Sequence, residues 1–532
     1  MNNTLQALLD SLTQSAPQSS AERDAHLRST TALRSATDDD VNAMLAALAA
    51  LDSAEQQRAL PLITAIVEQL AQRARLLARE RGPIALSTVD RQRIAKLYND
   101  LQSTSRVAWA LLGWLAALRS APALTLFVEL LVASPPADSP QLVAVLGPLF
   151  QRLDYDAGAL FPALLDALAH KHLASAVLDL ANYLTREKML PQHPAQLRGK
   201  ELQQLLGALV QRLGAVEEEP DAAGRSAAAV GAMIAESLPL AVSLCDALSL
   251  LGDREATGKL YQAMELKHRR LRTEAAAALA RLGEKAGVDI LIELASEPVA
   301  RLRVLAYAQE LNFLERIDEA YTSEAAQAEA QLALWLAQPA QFGIPPTQLE
   351  LIDERELYWP GYDEPVDCFL FRFRYDLGQA SYANIGIAGP LEHAFGADLA
   401  DLPPDDIYAA FAGWHVEHEE LREYDATHLN DAQQLEVTRL ERRLHDFGLE
   451  EITPHTLALF FGERVLVAPA RREGLSGIGI ATSAGEAIWF PLGSVQRPIG
   501  PREAYCIFKG RRLLRTFNPE SSAESEESSD DV

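Results

Sequence analysis

Cysteine and positive charge are both scarce in this chain of 532 residues. Its three cysteines, Cys245, Cys368 and Cys506, are an odd number and lie far apart, so they suggest neither a disulfide framework nor the CxxC pair of a zinc site. We therefore expect a reducing, cytoplasmic compartment. The 48 basic residues are outnumbered by 74 acidic ones, and the resulting net charge of −26 repels phosphate backbones, which argues against nucleic acid as a partner.

Long hydrophobic runs are missing as well. The longest candidate span, 107–118, is closed by Arg119 and falls well short of the roughly 20 apolar residues that cross a bilayer. The opening residues, MNNTLQALLDSL, have no basic start and carry Asp10 within their only apolar stretch, so they do not match a secretory signal. The sequence therefore predicts no membrane partner.

What the sequence does contain is an internal repeat. At an offset of 31 residues, Leu260, Tyr261, Met264, Arg270, Leu271, Arg272, Ala275 and Leu282 match Leu291, Ile292, Ala295, Arg301, Leu302, Arg303, Ala306 and Phe313. A unit of this size cannot bury its own apolar face, so it must stack on neighbours. This predicts helix pairs stacked into a curved α-solenoid with a long concave groove.

Helical periodicity extends well beyond that repeat. A weaker match at an offset of 34 residues relates Leu126, Phe127, Leu130, Leu131, Val143, Leu146 and Phe150 to Leu160, Phe161, Leu164, Leu165, Val177, Leu180 and Leu184. Residues 1–40 are typical of a loose leader, and they end in Asp38–Asp40, whose charges suit a helix N-terminus. We predict a helical repeat domain over 41–337, with the number and phase of the repeats between 41 and 255 left open.

One segment resembles a known repeat. In LRTEAAAALARLG, residues 271–283, the apolar positions form one helical stripe, and small alanines let neighbouring helices approach closely. This segment is similar to the second helix of a HEAT repeat, of the short kind also found in the phycobilin-lyase group, over residues 255–316. The resemblance implies a protein-binding scaffold in most relatives and chromophore attachment in a few. By itself it does not choose between them.

The texture of the sequence changes after Gln338-Pro339. Cys368–Tyr375 alternates large apolar residues with others, which is typical of a strand with one buried face. We predict a second, α+β domain over 338–518 with a mostly antiparallel sheet, and a disordered acidic tail over 519–532. The predicted strands are 349–358, 366–376, 381–388, 457–468, 476–482, 486–491 and 503–516, and the predicted helices are 404–424 and 431–447.

The second domain also carries a resemblance. The phrases WPGYDEPVDCFLFRFRY and LPPDDIYAAFAGWHVEHEE are similar to a C-terminal region found beside HEAT-like helices in uncharacterised bacterial proteins. That resemblance carries no functional residues over to this chain. The fold class expected for the whole protein is mainly α, a HEAT-like solenoid followed by a smaller α+β domain.

A basic run is the first candidate binding site. On an acidic protein, Lys267–Arg272 and the arginines one repeat later predict a positive ladder along the groove, which would dock an acidic segment of another protein through bidentate arginines. The alternative, which we weigh more heavily, is that Arg272 and Arg303 brace the next helix through a carboxylate and that the other basic residues are solvated. The candidate residues are Lys267, Arg269, Arg270, Arg272, Arg301 and Arg303.

A histidine pair is the second candidate. His415 and His418, three residues apart in WHVEHEE, together with Tyr362 and Asp363, suggest an active site with a divalent metal. The pattern is not HExxH, however, and a core stripe of Ile407, Phe411, Trp414, His418 and Leu421 on one helix explains it better. We therefore predict no metal and no cofactor.

Two functions follow from the sequence. The first is a non-catalytic protein–protein interaction scaffold that uses the groove of a helical solenoid. The alternative is an enzyme, metal-dependent or otherwise hydrolase-like, with its active site in the C-terminal domain. The oligomeric state and the identity of the partner stay open.

Overall fold

The computed structural model describes residues 8, 10, 12, 29–102, 104–137, 140–218, 226–378, 380–416, 420–491 and 499–518. Its internal contacts divide the chain into two compact units, Met1–Leu291 and Ile292–Val532. The predicted leader lies mostly outside the described residues, and the predicted acidic tail lies wholly outside them. The protein is mainly helical, with two antiparallel sheets in the second unit.

The first unit is built from helices. In chain order they are α1 (Asp38–Ala50), α2 (Ser53–Arg81), α3 (Thr88–Leu101), α4 (Ser105–Leu118), α5 (Ala121–Ala133), α6 (Pro140–Gln151), α7 (Lys171–Arg186), α8 (Gly199–Glu218), α9 (Ala227–Leu250), α10 (Thr257–Met264), α11 (Arg269–Arg281) and α12 (Lys285–Leu294), in which the division between the units falls. Short 3-10 helices cover Thr30–Ser35, Ala157–Ala159, Ala163–Ala169, Gln196–Arg198 and Arg254–Ala256.

Side-chain caps explain where the first helices begin. Thr37 and Asp40 form a capping box at the start of α1, and Asp52 and Glu55 form another at the start of α2. In each box the two side chains accept hydrogen bonds from main-chain N–H groups that have no partner within the helix. The predicted helix start at the Asp38–Asp40 run is confirmed.

Alternate helices pack on each other in the first unit. One row runs α1, α3, α5, a second α2, α4, α6 and a third α7, α9, α11; α8 likewise packs on α10, and α6 packs on the consecutive helix α7. Both members of the 31-residue repeat are helix pairs, because α10 and α11 are followed by α12 and α13 (Pro298–Glu310). In the 34-residue repeat the match is looser, since the segment Ala163–Ala169, which corresponds to part of α5, is a 3-10 helix.

A long apolar helix of the first unit was not singled out from the sequence. Among the described residues, Ala228–Leu250 within α9 is long and apolar enough to cross a membrane by length and composition alone, with a mean hydropathy of 1.7, and 39% of its most apolar stretch is buried. Two acidic residues, Glu236 and Asp246, interrupt this helix. Its C-terminal half is buried and packs against α7, α8 and α11, as a core helix does.

A buried polar network joins α7 to α9 and to the segment that follows α7. The Asn182 amide donates to the Ser243 carbonyl oxygen at 3.0 Å, and His193 Nε2 lies 3.0 Å from Asn182 Oδ1. The main-chain N–H of Ala195 donates to His193 Nδ1, so Nδ1 is the acceptor and Nε2 carries the proton. Burial lowers the pKa of His193 from 6.5 to about 4, so the ring is neutral at pH 7.

This histidine predicts a loss of stability in mild acid. In the unfolded chain His193 is protonated below about pH 6.5, whereas in the native chain it is protonated only below about pH 4. The free energy of unfolding therefore decreases by up to about 3 kcal/mol as the pH falls through this window. Urea unfolding from pH 7 to 4.5 should show a smaller loss in His193→Gln than in the wild type. His172→Gln, an exposed histidine of α7, should keep the wild-type slope, and equal slopes in all three proteins would contradict the prediction.

The second unit combines helices with two sheets. Its helices are α13, α14 (Glu319–Thr322), α15 (Glu324–Leu336), α16 (Pro404–His415), α17 (Asp431–Asp446) and α18 (Pro501–Phe517), with a 3-10 turn at Leu314–Arg316. Its strands are β1 (Gln348–Leu357), β2 (Val366–Leu377), β3 (Ala380–Ala388), β4 (His393–Ala394), β5 (Leu421–Asp425), β6 (Thr456–Phe460), β7 (Glu463–Arg472), β8 (Leu475–Thr482) and β9 (Ala487–Pro491). Strands β1 to β4 form one antiparallel sheet and β5 to β9 the other, each in chain order.

The pair α16 and α18 lies in a core shared by the two sheets. The first sheet contributes Cys368 and Leu370 from β2 to this core, and the second contributes residues of β6, β7 and β8. On the opposite face of β2, the rings of Phe369, Phe371 and Phe373 pack against α15. Over 368–371, strand β2 is thus buried on both faces, whereas from Arg372 to Tyr375 it shows the alternation that its sequence predicted. On the outer face of the second sheet lies α17.

Two sequence predictions in this unit are wrong. The segment 503–516 was expected to be a strand, but it belongs to helix α18. Five consecutive apolar residues, 504–508, hide the period of the segment, whereas Pro501 at the first position and the Glu503 carboxylate on the Gly500 N–H fix a helix start.

The second wrong prediction is the helix over 404–424. Helix α16 ends at His415, because Val416 is extended, and Leu421 belongs to strand β5, which pairs with β6. The expected stripe of one helix through Trp414 and Leu421 therefore does not exist. The remaining predicted strands and the helix 431–447 are confirmed, with 457–468 divided into β6 and β7.

Candidate functional site

Two glycines bring α16 and α18 into backbone contact. A Cβ atom on Gly510 would lie 1.7 Å from the carbonyl oxygen of Ala409, and one on Gly413 would lie 1.9 Å from that of Cys506. Neither position has room for any side chain, so the helices cross at a distance that only glycine permits. This crossing places the C-terminal end of α16 beside one face of α18.

Ion pairs fix α18 on the surrounding elements. Arg511 makes two hydrogen bonds to the Asp406 carboxylate of α16, at 2.6 and 2.7 Å. Arg512 reaches Glu463 of β7 and Glu486, each at 2.5 Å. Forked contacts of this kind set the rotation of the helix as well as its position.

A cavity of about 860 Å³ opens beside this helix pair. One stripe of α18 forms a wall, because residues at steps of three and four share a face of a helix. The end of α16, the loop after β1 and strands β5 and β6 form the rest. The lining residues are Pro360, Gly361, Trp414, His415, Val416, Glu423, His455, Thr456, Phe461, Pro501, Arg502, Tyr505, Cys506, Lys509, Leu513 and Phe517.

The charge of the cavity centres on Lys509. Its side chain is 8% exposed, its Nζ lies 3.1 Å from Glu423 Oε1, and it stands 4.7 Å from the centre of the Tyr505 ring. Burial raises the pKa of Tyr505 above its ordinary value, with a smaller contribution from the Glu423 charge, so the phenol stays neutral at pH 7. Arg502, two turns before Lys509 on the same stripe, adds a second positive charge.

A hydrogen bond from a buried tryptophan fixes His415. Trp359 Nε1–H donates to His415 Nδ1 at 3.1 Å, so Nδ1 is the acceptor and the neutral ring carries its proton on Nε2. The neighbouring Trp414 ring stacks on His393 with 3.7 Å between the ring centres and 12° between the planes. Burial lowers the pKa of His393 to about 4, helped by the charge of Arg502, so this stack is neutral at pH 7.

The cavity contains one thiol, and it is not an activated nucleophile. Burial raises the pKa of Cys506 to about 11, and the positive charges of Lys509 and Arg502 offset only part of that rise. Because the thiolate is the reactive form, Cys506 is inert at neutral pH. The three cysteines are all free and buried. Across the described residues, no group of three or more His, Cys, Asp or Glu side chains is placed to hold a metal ion.

The structure places only part of the predicted histidine site in the cavity. His415 lines it, whereas His418 lies outside the described residues. The Tyr362 hydroxyl donates to the Pro390 carbonyl oxygen at 2.7 Å and so holds the turn after β1. Asp363 is exposed beside it and, like Tyr362, is not among the lining residues.

The basic run is exposed at the start of α11. Lys267, Arg269 and Arg270 are exposed, and Arg272 is half-buried. The Glu217 carboxylate, at the end of α8, accepts hydrogen bonds from the main-chain N–H groups of Lys267 and His268 at 2.9 and 3.1 Å. An acidic side chain of the protein itself is thus already bound at this helix N-terminus.

The arginines one repeat later do not continue a ladder. Arg301 is 2% exposed, pairs with Glu329 of α15 and donates to the carbonyl oxygens of Ala295 and Ala326 at 2.9 and 2.7 Å. Its burial removes it from any surface that a partner reaches, and it braces the next helix, a role that the alternative gave to Arg272 and Arg303 and not to Arg301. Arg303 is exposed, and its guanidinium lies 3.1 Å from the Tyr307 hydroxyl.

Lys509 is the main residue of the cavity that sequence reasoning missed. Read as a strand, the segment 503–516 sends Lys509 and Tyr505 to an edge, whereas a helix aligns them with Arg502 and Leu513. The helix-start signal at Gly500-Pro501 was present in the sequence and is sufficient to find this stripe.

Comparison of the sequence with protein families and with curated proteins found no match. Among solved structures, one of lipovitellin, described as showing lipid–protein interactions, aligns with a TM-score of 0.22 and 12% identity. The alignment covers 78% of this chain and 49% of the lipovitellin chain, so this chain spans about half of that one.

Proposed function

We propose that the protein is a non-catalytic, cytoplasmic interaction protein whose helical part is a solenoid of HEAT-like repeats that binds an acidic segment of another protein. The observation that carries the proposal is the packing of alternate helices, α2 on α4 on α6 and α7 on α9 on α11. In a stack of helix pairs each helix packs on its counterpart in the next pair, and such stacks present extended binding surfaces.

The exposed basic residues of α11 supply the contact chemistry. Lys267, Arg269 and Arg270 concentrate positive charge at one helix N-terminus on a protein of net charge −26. Glu217 already accepts the hydrogen bonds of the main-chain N–H groups there, which leaves the exposed basic side chains for a partner. An acidic peptide would meet the arginine side chains from the solvent side.

The enzyme alternative receives less support. Nucleophilic catalysis by the thiol of the C-terminal cavity needs a thiolate, and Cys506 is protonated at neutral pH. His415 is held by Trp359 as a neutral ring, which suits a hydrogen-bond donor. We therefore assign binding, not catalysis, to both units.

Charge reversal tests the proposed acidic partner. A fluorescein-labelled polyglutamate peptide should bind the full chain, with an affinity that falls as salt is added, and Arg269→Glu/Arg270→Glu should weaken it about fivefold or more. The substitution should not unfold the protein, because acidic residues are favoured in the first turn of a helix.

The matched control reverses two cations at other helix starts. Lys171→Glu/Lys200→Glu changes the net charge equally at the first turns of α7 and α8 and should leave peptide affinity close to that of the wild type. Equal weakening in both double variants would reduce the effect to overall charge and contradict the proposed site. Binding of the peptide that survives reversal of Arg269 and Arg270 would do the same.

A further inference from the structure

The cavity of the second unit has the composition of a ligand site, independently of any role of the helical repeats. It combines a buried cation at Lys509, a second positive charge at Arg502 and a rim of exposed aromatic rings. Its volume of about 860 Å³ lies within the range of pockets that hold small organic ligands. Each of these three features narrows the chemistry of the occupant.

The buried cation calls for a further hydrogen-bond acceptor. An ammonium has three N–H donors, and within the described residues that of Lys509 makes one hydrogen bond, to Glu423. The pair is unequal, because the Lys509 side chain is 8% exposed and that of Glu423 is 54% exposed. An ammonium withdrawn from water with donors still to satisfy is stabilised by an acceptor that enters the cavity.

A second lining residue can only donate. Arg502 contributes a guanidinium that has no acceptor function, whereas Thr456 and Tyr505 can both donate and accept. Against these, Glu423 is the one carboxylate among the described lining residues, and Lys509 already neutralises it. The positive charge that remains, on Arg502, matches an anionic group and disfavours a cationic one.

The remaining wall is apolar and partly open to solvent. Phe461 and Phe517 are each 45% exposed although both line the cavity, and Leu513 lies between Lys509 and Phe517 on the α18 stripe. Phe461 has a φ of +46°, a conformation that bulky residues seldom adopt and that holds its ring in this turn. Exposed rings beside a deep cation suit a ligand with an aromatic or other apolar body.

We propose that this cavity binds an amphipathic organic anion, with its carboxylate or phosphate group on Lys509 and Arg502 and its apolar body against Phe461, Leu513 and Phe517. The anionic group enters first, since the cation is buried and the rings stand at the rim. The residues of this site are not those of the basic run of α11. The tests of the acidic-peptide site and of the organic-anion site are therefore independent.

Two dyes that share one aromatic body separate the contributions of charge and apolar contact. Anilinonaphthalene sulfonate is an aromatic anion, and phenylnaphthylamine is its uncharged counterpart; both gain fluorescence when they leave water. We expect the full chain to bind the anion more tightly. Lys509→Met should weaken binding of the anionic dye about tenfold or more, as loss of a charge-assisted hydrogen bond does. It should leave the affinity for the neutral dye within about twofold of the wild-type value.

Three further variants keep the test decisive if Lys509→Met fails to fold. Arg502→Gln, at an exposed position, should weaken binding of the anionic dye about threefold and leave the affinity for the neutral dye unchanged. Phe461→Asn, which suits the positive φ, should weaken both dyes. Arg515→Met removes an exposed cation of α18 that does not line the cavity and should change neither affinity.

Displacement of the anionic dye distinguishes the source of the charge. Naphthoate and naphthyl phosphate carry the two proposed groups on similar bodies, and whichever displaces the dye at lower concentration identifies the preferred anion. Neutral naphthol should displace it poorly. Equal displacement by naphthol, or an affinity for the anionic dye that neither Lys509→Met nor Arg502→Gln changes, would overturn the proposal.

Discussion

Gly510→Ala should destabilise the second unit by about 3 kcal/mol or more, although alanine is the better helix former by about 1 kcal/mol. The added methyl group would lie 1.7 Å from the Ala409 carbonyl oxygen, and main-chain atoms cannot turn away as a flexible side chain can. The two helices must therefore separate, which loosens the core between the sheets. Hydrogen exchange of peptides from α16 and α18 should rise well before that of the first unit.

Gly231→Ala provides the control for this prediction. Gly231 is exposed within α9, and no atom lies within 4 Å of the position its Cβ would take. Here only helix propensity acts, so the substitution should stabilise the protein by up to about 1 kcal/mol. A stabilising effect at Gly510 as well would show that the close crossing is not present in solution.

Arg301→Ala should cost about 3 to 5 kcal/mol, because it leaves buried acceptors without a donor. One guanidinium serves Glu329 and the carbonyl oxygens of Ala295, Ser296 and Ala326. Arg301→Lys should recover only part of the loss, since an ammonium cannot span these acceptors as the planar fork does. Urea unfolding measures the loss of stability in each Arg301 variant, and hydrogen exchange over α13 and α15 shows where it occurs.

The matched control lies two residues further along the same helix. Arg303→Ala removes an exposed guanidinium and should change stability by no more than about 0.5 kcal/mol. If Arg301→Ala lost no more stability than Arg303→Ala, Arg301 would be a surface residue in solution. It would then again be a candidate for the predicted row of binding arginines.

Sequence patterns predicted the helical part of the fold well, for a simple reason. Between residue 41 and Leu336 the apolar positions recur at helical spacing, and caps such as that of α1 mark the starts. In the second unit the period is unambiguous for β2 and β3 but not for 504–508, where every residue is apolar. The capping signal at Gly500-Pro501 favours a helix there, and the structure shows that the segment is one.

The candidate site was predicted only in fragments. His415 was identified, but as half of a metal pair with His418, which lies outside the described residues. Lys509 and Glu423 are separated by 86 residues in sequence and meet only because α18 packs beside β5 and β6. No spacing rule along the chain relates them, so the cavity depends on a tertiary arrangement that periodicity does not reveal.

The glycine crossing of α16 and α18 also determines how the cavity can adapt. Because the two backbones touch and Arg511 and Arg512 fix the rotation of α18, this wall cannot slide to fit a larger guest. Adjustment is left to the rings of Phe461 and Phe517 at the rim. A preformed wall spares the ligand the cost of ordering it, so related ligands should enter at similar rates and differ mainly in how long they stay.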